Sequence, residues 1–468
     1  MNELTISLDV HSSRPLYEQI YEYIKNDIQN GGLPFKKRLP STRNLAKYLQ
    51  VSRSTVELAY EQLLSEGYIE AVPCKGYFVS ELDGLYHLST AVQVPKKAAE
   101  EMKEHYEYDF SPSGVDLNSF PHNAWRKISK NILLEDNKDF FQLGEPKGES
   151  ELRETIAAYL HQARGVNCSM EQIIIGAGND YLLMLLCNLL GRGHIIAMEN
   201  PTYKKAYDIL NVLSNEMLVI NMDKNGMDVA ELENSRADIA YVMPSHQFPL
   251  GTIMPIKRRM QLLKWASEDE DRYIIEDDYD SEFRYKGKPI PALQGYDSHD
   301  KVIYIGTFSK SIAPAIRVSY LVLPKRLLAV YDEIGKIFSS TVSRVDQMII
   351  SRFLNEGYYE RHLNKMRAIY KSRHDVLLDK LKGLESICTI SGENAGVHVL
   401  LSFVNGMSED DAIERARLKG VKVYGLSAYY VAAPRETTMP TVILGYANLC
   451  EEDIAEAVNR LVHAWIIE

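Results

Sequence analysis

Six short runs rich in β-branched and other apolar residues recur between positions 173 and 324: IIIGA, HIIAM, IAYVMP, YIIEDD, VIYIGT and YLVLP. Longer amphipathic stretches separate them. Strands apolar along their whole length suit a sheet covered on both faces, and alternation with helical segments requires crossover connections, so the pattern predicts a mostly parallel sheet flanked by helices. The same alternation extends loosely over residues 109–468, which we read as one α/β unit. The chain has 468 residues, 45% of them apolar and 25% charged, enough for more than one domain at roughly 100–200 residues each.

The N-terminal segment has a different period. In PLYEQIYEYIKNDIQNGG, Leu16, Ile20, Tyr23, Ile24 and Ile28 recur at helical spacing between Pro15 and Gly31-Gly32. Ser41 is placed to cap a second helix ending near Leu49, and Ser52 a third ending near Glu66. Residues 68–72 and 76–79, joined through Pro73-Cys74-Lys75, read as a hairpin. The order is helix, helix, turn, helix and a two-stranded wing. From Gly31 to Thr55 six basic residues (Lys36, Lys37, Arg38, Arg43, Lys47, Arg53) occur without an acid, concentrated where the second and third helices begin. Helix N-termini beside such a cluster favour the phosphates of a DNA duplex, and Lys75-Gly76 sits at the tip of the wing. We therefore assign residues 1–79 to a DNA-binding domain and the polar stretch 80–108 to a linker.

The remaining composition excludes other classes. Fifty-three basic against 64 acidic residues give a net charge of −11, so the chain as a whole does not coat an anionic partner. The apolar run Leu182–Leu190 is too short to span a bilayer. The opening MNELTISLDVHSS carries acids where an export signal needs basic residues and an apolar stretch, and five scattered cysteines suit a reducing compartment; a cytoplasmic location without membrane contact is expected. No metal-ligand spacing is present.

Chemistry collects at the ends of the predicted strands. Lys310 follows VIYIGT within Thr307-Phe308-Ser309-Lys310-Ser311, with Arg317 seven residues on. A lysine amine among hydroxyls and an arginine suits an imine with a phosphorylated aldehyde cofactor, although lysines beside serines are also common on surfaces. Upstream, Ile274-Ile275-Glu276-Asp277-Asp278-Tyr279 is a strand running into acids. A buried carboxylate needs a cation, and a protonated pyridine nitrogen is one; a metal site would need histidines that the segment lacks. Tyr279 is placed to bond a ring hydroxyl. Ala177-Gly178-Asn179 forms a small-residue turn before a helix, suited to phosphate, and Tyr203 follows the strand HIIAM.

The segment PLYEQIYEYIKNDIQNGGLPFKKRLPSTRNLAKYLQVSRSTVELAYEQLLSEGYIEAVPCKGYFV resembles the winged helix-turn-helix of GntR-type bacterial regulators. That resemblance implies that Arg43 and Arg53 meet phosphates and guanine edges, that Ser52, Ser54 and Thr55 line the start of the recognition helix, and that Gly76 lets the wing approach the minor groove. The loops of residues 109–468 resemble the fold-type I pyridoxal phosphate enzymes, the aspartate aminotransferase-like group. It implies pyridoxal 5'-phosphate as cofactor, Lys310 as its Schiff-base lysine, Asp277 on the pyridine nitrogen, Tyr279 on the phenolic oxygen and Tyr203 stacked on the ring. Ala177, Gly178, Asn179, Thr307, Ser309 and Arg317 complete the implied cofactor site, which the family builds at a homodimer interface. The union of both halves, with S-H-Q-F-P-L-G, E-D-D-Y-D-S-E-F and T-F-S-K-S, is similar to the MocR subfamily of GntR regulators, most of all its GABA-responsive GabR type.

Two departures shape the functional expectation. Aminotransferases carry a substrate-carboxylate arginine on a late strand, but the candidate strand PTVILGY has none. Where the GABA-responsive type has paired arginines after the stacking tyrosine, this chain has Lys204-Lys205, which retain charge without the bidentate fork. Lys205 is the first candidate for an effector carboxylate, with Arg435 and Lys422 behind it. The expected function is a cofactor-dependent transcription regulator that reads an operator through its winged helix and senses an amino compound by external aldimine formation. A catalytically active aminotransferase with an accessory N-terminal domain is the competing expectation.

Overall fold

Capping and apolar stripes build the N-terminal helices. Helix α1 (Leu16–Gln29) starts after Pro15 and buries Ile20, Ile24 and Ile28 along one face. Helix α2 (Thr42–Leu49) begins where the Ser41 hydroxyl accepts the Asn44 N–H, and α3 (Arg53–Ser65) where Ser52 accepts that of Thr55. Between them Gln50 takes a left-handed φ of 55°, turning the chain. Strands β1 (Ile69–Val72) and β2 (Gly76–Val79) pair antiparallel, with Ile69 opposite Val79. Val56, Ala59, Tyr60 and Leu63 of α3 close the core over α1, each large apolar side chain contributing about 1.5–3 kcal/mol on full burial. One feature escapes the sequence pattern: residues 36–39 pair with β2, Lys36 and Leu39 donating to the carbonyls of Val79 and Tyr77. Proline-flanked and without alternation, that segment gives no strand signal.

This N-terminal part belongs to one of two compact units, Met1–Lys103 and Glu104–Glu468. The computed structural model describes residues 6–9, 12–81, 106–134, 138–191, 193–213, 216–285, 290–393, 395–434 and 438–466. Most of the expected linker, and Arg435, lie outside the described residues.

In the larger unit the six apolar runs all become strands. With two more they are β3 (Ile173–Gly176), β4 (Ile195–Asn200), β5 (Glu216–Asp223), β6 (Gly226–Met227), β7 (Ile239–Val242), β8 (Tyr273–Asp278), β9 (Val302–Thr307) and β10 (Ser319–Val322). Their order in one sheet is β3-β10-β9-β8-β7-β4-β5-β6. From β9 through β5 neighbours run parallel; β10 pairs antiparallel with both β9 and β3, and β6 with β5. Alternate residues feed opposite faces: Ile174, Ile275, Ile303 and Ile305 pack with Leu182 and Leu186 of the Asn179–Leu190 helix, whereas Ile173, Ile175 and Tyr304 join the other core. A separate antiparallel sheet is ordered Cys388–Ser391, His398–Phe403, Thr441–Gly445 and Tyr424–Gly425; of these only the Thr441–Gly445 strand was read from the sequence, as PTVILGY. No helix among the described residues is long and apolar enough to cross a membrane.

Parallel strands end on one side, so the segments leaving β4, β7, β8 and β9 gather at their carboxyl ends. These segments carry Tyr203, Met243, Tyr279 and Lys310.

Candidate functional site

In the winged unit the expected DNA-contacting residues lie on the surface. Arg43, Ser52, Arg53, Ser54, Lys75 and Gly76 are exposed, and Thr55 is half-buried. The Ser52 hydroxyl lies 2.8 Å from that of Ser54 and 2.7 Å from that of Thr55, so these short side chains fold back over the start of α3. Arg53 pairs with Glu57 one turn on, at 2.7 Å. An exposed pair of this kind contributes at most about 1 kcal/mol, so the guanidinium is readily exchanged onto a phosphate. At the wing tip Cys74 and Gly76 hold φ angles of +63° and +105°, which bend the hairpin sharply.

In the larger unit a cavity of about 200 Å³ opens where β8 and β9 end. Its wall includes Gly178, Asn179, Tyr203, Lys205, Asp277 and Tyr279, together with Thr307, Ser309, Lys310 and Arg317, and Asp180 and Phe248 lie among the other lining residues. Residues far apart in sequence are thus brought together. Lys310 is half-buried, its amine 3.2 Å from the Pro112 carbonyl and 3.5 Å from that of Gly114. Desolvation pushes this amine down to about 8, Asp280 opposing the shift. A sizeable neutral fraction follows near neutral pH.

Asp277 and Asp278 occupy opposite faces of β8 and differ accordingly. Asp278 pairs with Arg164 at 2.8 Å and accepts the Tyr304 hydroxyl at 2.5 Å. Asp277 accepts the Tyr241 hydroxyl on Oδ2, while its buried Oδ1 has no partner among the described residues. Burial pushes the Asp277 carboxyl up to about 7, against the Tyr241 hydrogen bond and helped by Asp278 and Asp280. A cation or N–H donor reaching Oδ1 would relieve that cost.

Beside it lies an anion-binding corner. Gly178 starts the Asn179–Leu190 helix at φ +89°, and a Cβ there would come within 2.4 Å of the Arg317 guanidinium. Only glycine permits this approach. The Asn179 Oδ1 is buried and without a partner among the described residues. Thr307 accepts the Ser309 N–H at 3.2 Å and the Ser319 hydroxyl at 2.8 Å, leaving its own hydroxyl hydrogen to donate. Ala177 does not line the cavity: its N–H goes to the Thr341 hydroxyl, and its carbonyl accepts from Arg317 at 3.1 Å.

The effector candidates separate. Lys205 lines the cavity but is ion-paired, its ammonium 2.8 Å from Asp180, which also meets Arg317 at 3.2 Å. Burial raises the Asp180 carboxyl, but Lys205 and Arg317 together outweigh it and hold it below its usual range. Lys422 does not line the cavity; it rests over the rings of Tyr106 and Tyr424. Sequence reasoning missed Asp180 and Tyr241, and gave no role to His246 and Phe248 although both lie in the S-H-Q-F-P-L-G run. Phe248 lies against Tyr203 and Tyr279 with ring centres 6.1 and 6.0 Å away. Only the period-2 position of Tyr241 on β7 signalled that it shares a face with its neighbour strand's Asp277.

The groups present fit pyridoxal phosphate: an amine for the aldehyde, a carboxylate oxygen without a partner among the described residues for a ring nitrogen, and a glycine-arginine corner for phosphate. Comparisons with known proteins agree at the level of family. Residues 113–461 match the aminotransferase class I and II family, and residues 16–79 the bacterial regulatory proteins of the gntR family. An uncharacterized HTH-type transcriptional regulator, YdeL of Bacillus subtilis (strain 168), is 41% identical over 97% of this chain and 97% of its own. The probable rhizopine catabolism regulatory protein MocR of Rhizobium meliloti is 30% identical, covering 98% of this chain and 95% of that protein. Among solved structures, the multiple substrate aminotransferase of Thermococcus profundus superposes with a TM-score of 0.68 at 28% identity, over 78% of this chain and 92% of the other. Such a domain implies pyridoxal phosphate, and a gntR-type module implies DNA binding. Both halves, in this order and over nearly the whole chain, place the protein in the MocR-type subfamily of GntR-family transcriptional regulators.

Proposed function

We propose that this protein is a regulator whose DNA affinity is set by an amino compound bound in the cavity of its larger unit. The observation that carries the reading is the convergence, in one cavity, of an amine held near pKa 8 and a buried aspartate oxygen without a partner among the described residues. Pyridoxal phosphate, when bound, supplies an aldehyde carbon for which amines compete. Lys310 provides the resident amine, Asp277 holds the ring nitrogen's proton, and Tyr279 faces the phenolic oxygen. Gly178, Asn179, Thr307, Ser309 and Arg317 hold the phosphate, and Tyr203, half-buried, flanks the ring with Phe248 behind it. Lys205 is the anchor we assign to an acidic end of the effector, which must then compete with Asp180.

In the winged unit, Arg43, Arg53 and Lys75 engage the duplex, with Ser52, Ser54, Thr55 and Gly76 permitting close backbone approach. Effector and operator are linked thermodynamically: an amine that binds one DNA-affinity state better shifts the other equilibrium by the same factor. A homodimer is supported by Phe141 and Leu143, which are 78% and 88% exposed, large apolar side chains that a subunit interface would cover.

The test combines two readouts on the full chain incubated with pyridoxal phosphate. Visible absorbance should develop, change with particular amines, and the same amines should change affinity for the promoter DNA beside its gene. Keto-acid production over many turnovers without duplex binding would instead establish the aminotransferase reading. Absence of colour would overturn the cofactor assignment.

A further inference from the structure

Behind the cavity wall lies a polar group that the cofactor reading does not use. Asp280 and His246 are only 2% and 3% exposed. The His246 Nδ1 lies 2.9 and 3.1 Å from the two Asp280 oxygens, and 2.9 Å from the Tyr279 hydroxyl. The ring has no room to turn aside: a Cβ on Gly396 would come within 2.1 Å of its Cε1. Its Nε2 has no partner among the described residues. Next to it, His398 donates its Nε2–H to the Pro249 carbonyl at 2.8 Å and is held neutral by burial, which pushes it down to about 4.

Proton counting then orients the group. An ionised carboxylate accepts only, so Asp280 requires the hydrogen of His246 on Nδ1. An Nδ1 that carries hydrogen cannot accept from Tyr279, and the contact at 2.9 Å must run from the imidazole to the phenol oxygen. The tyrosine's own hydrogen is thereby turned away from His246; Asp280, which also acts on this hydroxyl, is one acceptor left to it, and an oxygen entering the cavity that Tyr279 lines is the other. We propose that the buried Asp280–His246 pair is a positioning device that directs the Tyr279 hydroxyl hydrogen into the cavity, onto the phenolic oxygen of the bound cofactor. This rests on the cofactor reading above. His246 and Asp280 touch no reacting atom; they act through Tyr279.

The consequence is a change in the proton affinity of the lysine–cofactor linkage. A donor on the phenolic oxygen stabilises that oxygen's charge once the neighbouring linkage nitrogen has lost its proton, so it lowers the pH at which the visible spectrum changes. Other titratable groups act on Tyr279 or Lys310 or lie beside them: Asp277 and, from the opposite face of β8, Asp278, with Lys310 after β9 and the neutral His398 from the C-terminal sheet. Direct electrostatics therefore gives a contrary sign. Asp280 raises the proton affinity of Lys310, so neutralising it would lower the midpoint if charge alone mattered.

The experiment is a spectral pH titration of the full chain loaded with pyridoxal phosphate. Tyr279→Phe should raise the midpoint by about one unit, a tenfold change in proton affinity. Asp280→Asn should raise it too, and should add nothing in the Tyr279→Phe background. His246→Asn keeps an N–H near the Nδ1 position and should stay near the wild-type midpoint, whereas His246→Leu should shift it upward. A midpoint that falls or stays in Asp280→Asn, or a His246→Leu protein indistinguishable from wild type, overturns the positioning role while the coloured wild type preserves the cofactor reading. Should Asp280→Asn fail to fold, the two His246 variants decide. A colourless wild type removes both.

Discussion

Arg43, Arg53 and Lys75 stand in solvent on the winged unit, whereas Asp277, Asp280 and His246 are enclosed in the larger one, with Lys310 half-buried beside them. The difference teaches how each half binds. Exposed cations cost little to keep, interact over a Debye length of about 10 Å, and weaken with salt. Buried groups are costly when unpaired, so they persist where a partner arrives, and their protonation responds to small changes around them. Within the larger unit the same contrast separates neighbours: each keeps one oxygen without a described partner, but Asp278 already has the Arg164 cation and the Tyr304 hydroxyl, while Asp277 has the Tyr241 hydroxyl and no cation among the described residues.

The largest effect that would break this comparison is at Lys310. Lys310→Ala should abolish the visible absorbance developed with pyridoxal phosphate, leaving duplex binding by the winged unit measurable in a gel-shift assay; persistent colour would show that another amine does the work. Next, Asp277→Asn should weaken cofactor retention roughly a hundredfold, since losing one member of a buried charge pair costs about 3 kcal/mol or more. Equilibrium dialysis checks this, and the matching Asp278→Asn change should instead appear as lost stability in urea unfolding. Colour development should also depend on pH in a fixed sense. The Lys310 amine reacts only when neutral, so with its pKa lowered to about 8 the rate should fall about tenfold per pH unit below that value and level off above it. Stopped-flow absorbance reads the profile. Smallest of these, Arg43→Ala should weaken operator binding by about 1–2 kcal/mol and reduce the salt slope by about one, without moving the visible spectrum. A spectral change there would show that the two halves are not separable in the way their charges indicate.

Much of the architecture was legible because it rests on local regularities. Ser41 and Ser52 mark helix starts through chemistry confined to three residues, and the stripe of Ile20, Ile24 and Ile28 needs only the helical repeat. The six apolar runs identify strands because burial on both faces leaves no polar alternation. The Glu216–Asp223 strand was missed for the opposite reason. Toward the sheet's margin its side chains are mostly half-exposed, so its composition is mixed. The Lys36–Leu39 edge and the C-terminal antiparallel sheet are likewise set by partners distant in sequence.

The candidate site divides in the same way. Lys310, Asp277, Tyr279, Thr307 and Arg317 were legible as residue types at strand ends, and the fold gathers them around one cavity. Lys422 had no such signal against it, yet it lies over Tyr106 and Tyr424 and does not line that cavity. Asp180 was overlooked because an acid at a helix start is ordinary; its meaning comes from Lys205, 25 residues away, and Arg317, 137 residues away.

From the amino-acid order alone came the two-part plan, the wing, the parallel sheet and the chemical types at the strand ends, because caps, periods and turn residues act within a few positions. The tertiary structure alone decided which aspartate of the adjacent pair meets an arginine, which lysine of the Lys204-Lys205 pair meets Asp180, and that His246, Asp280 and Tyr279 meet at hydrogen-bond distance. Desolvation and hydrogen-bond geometry depend on every segment packed around a group, and no single stretch of sequence contains that information.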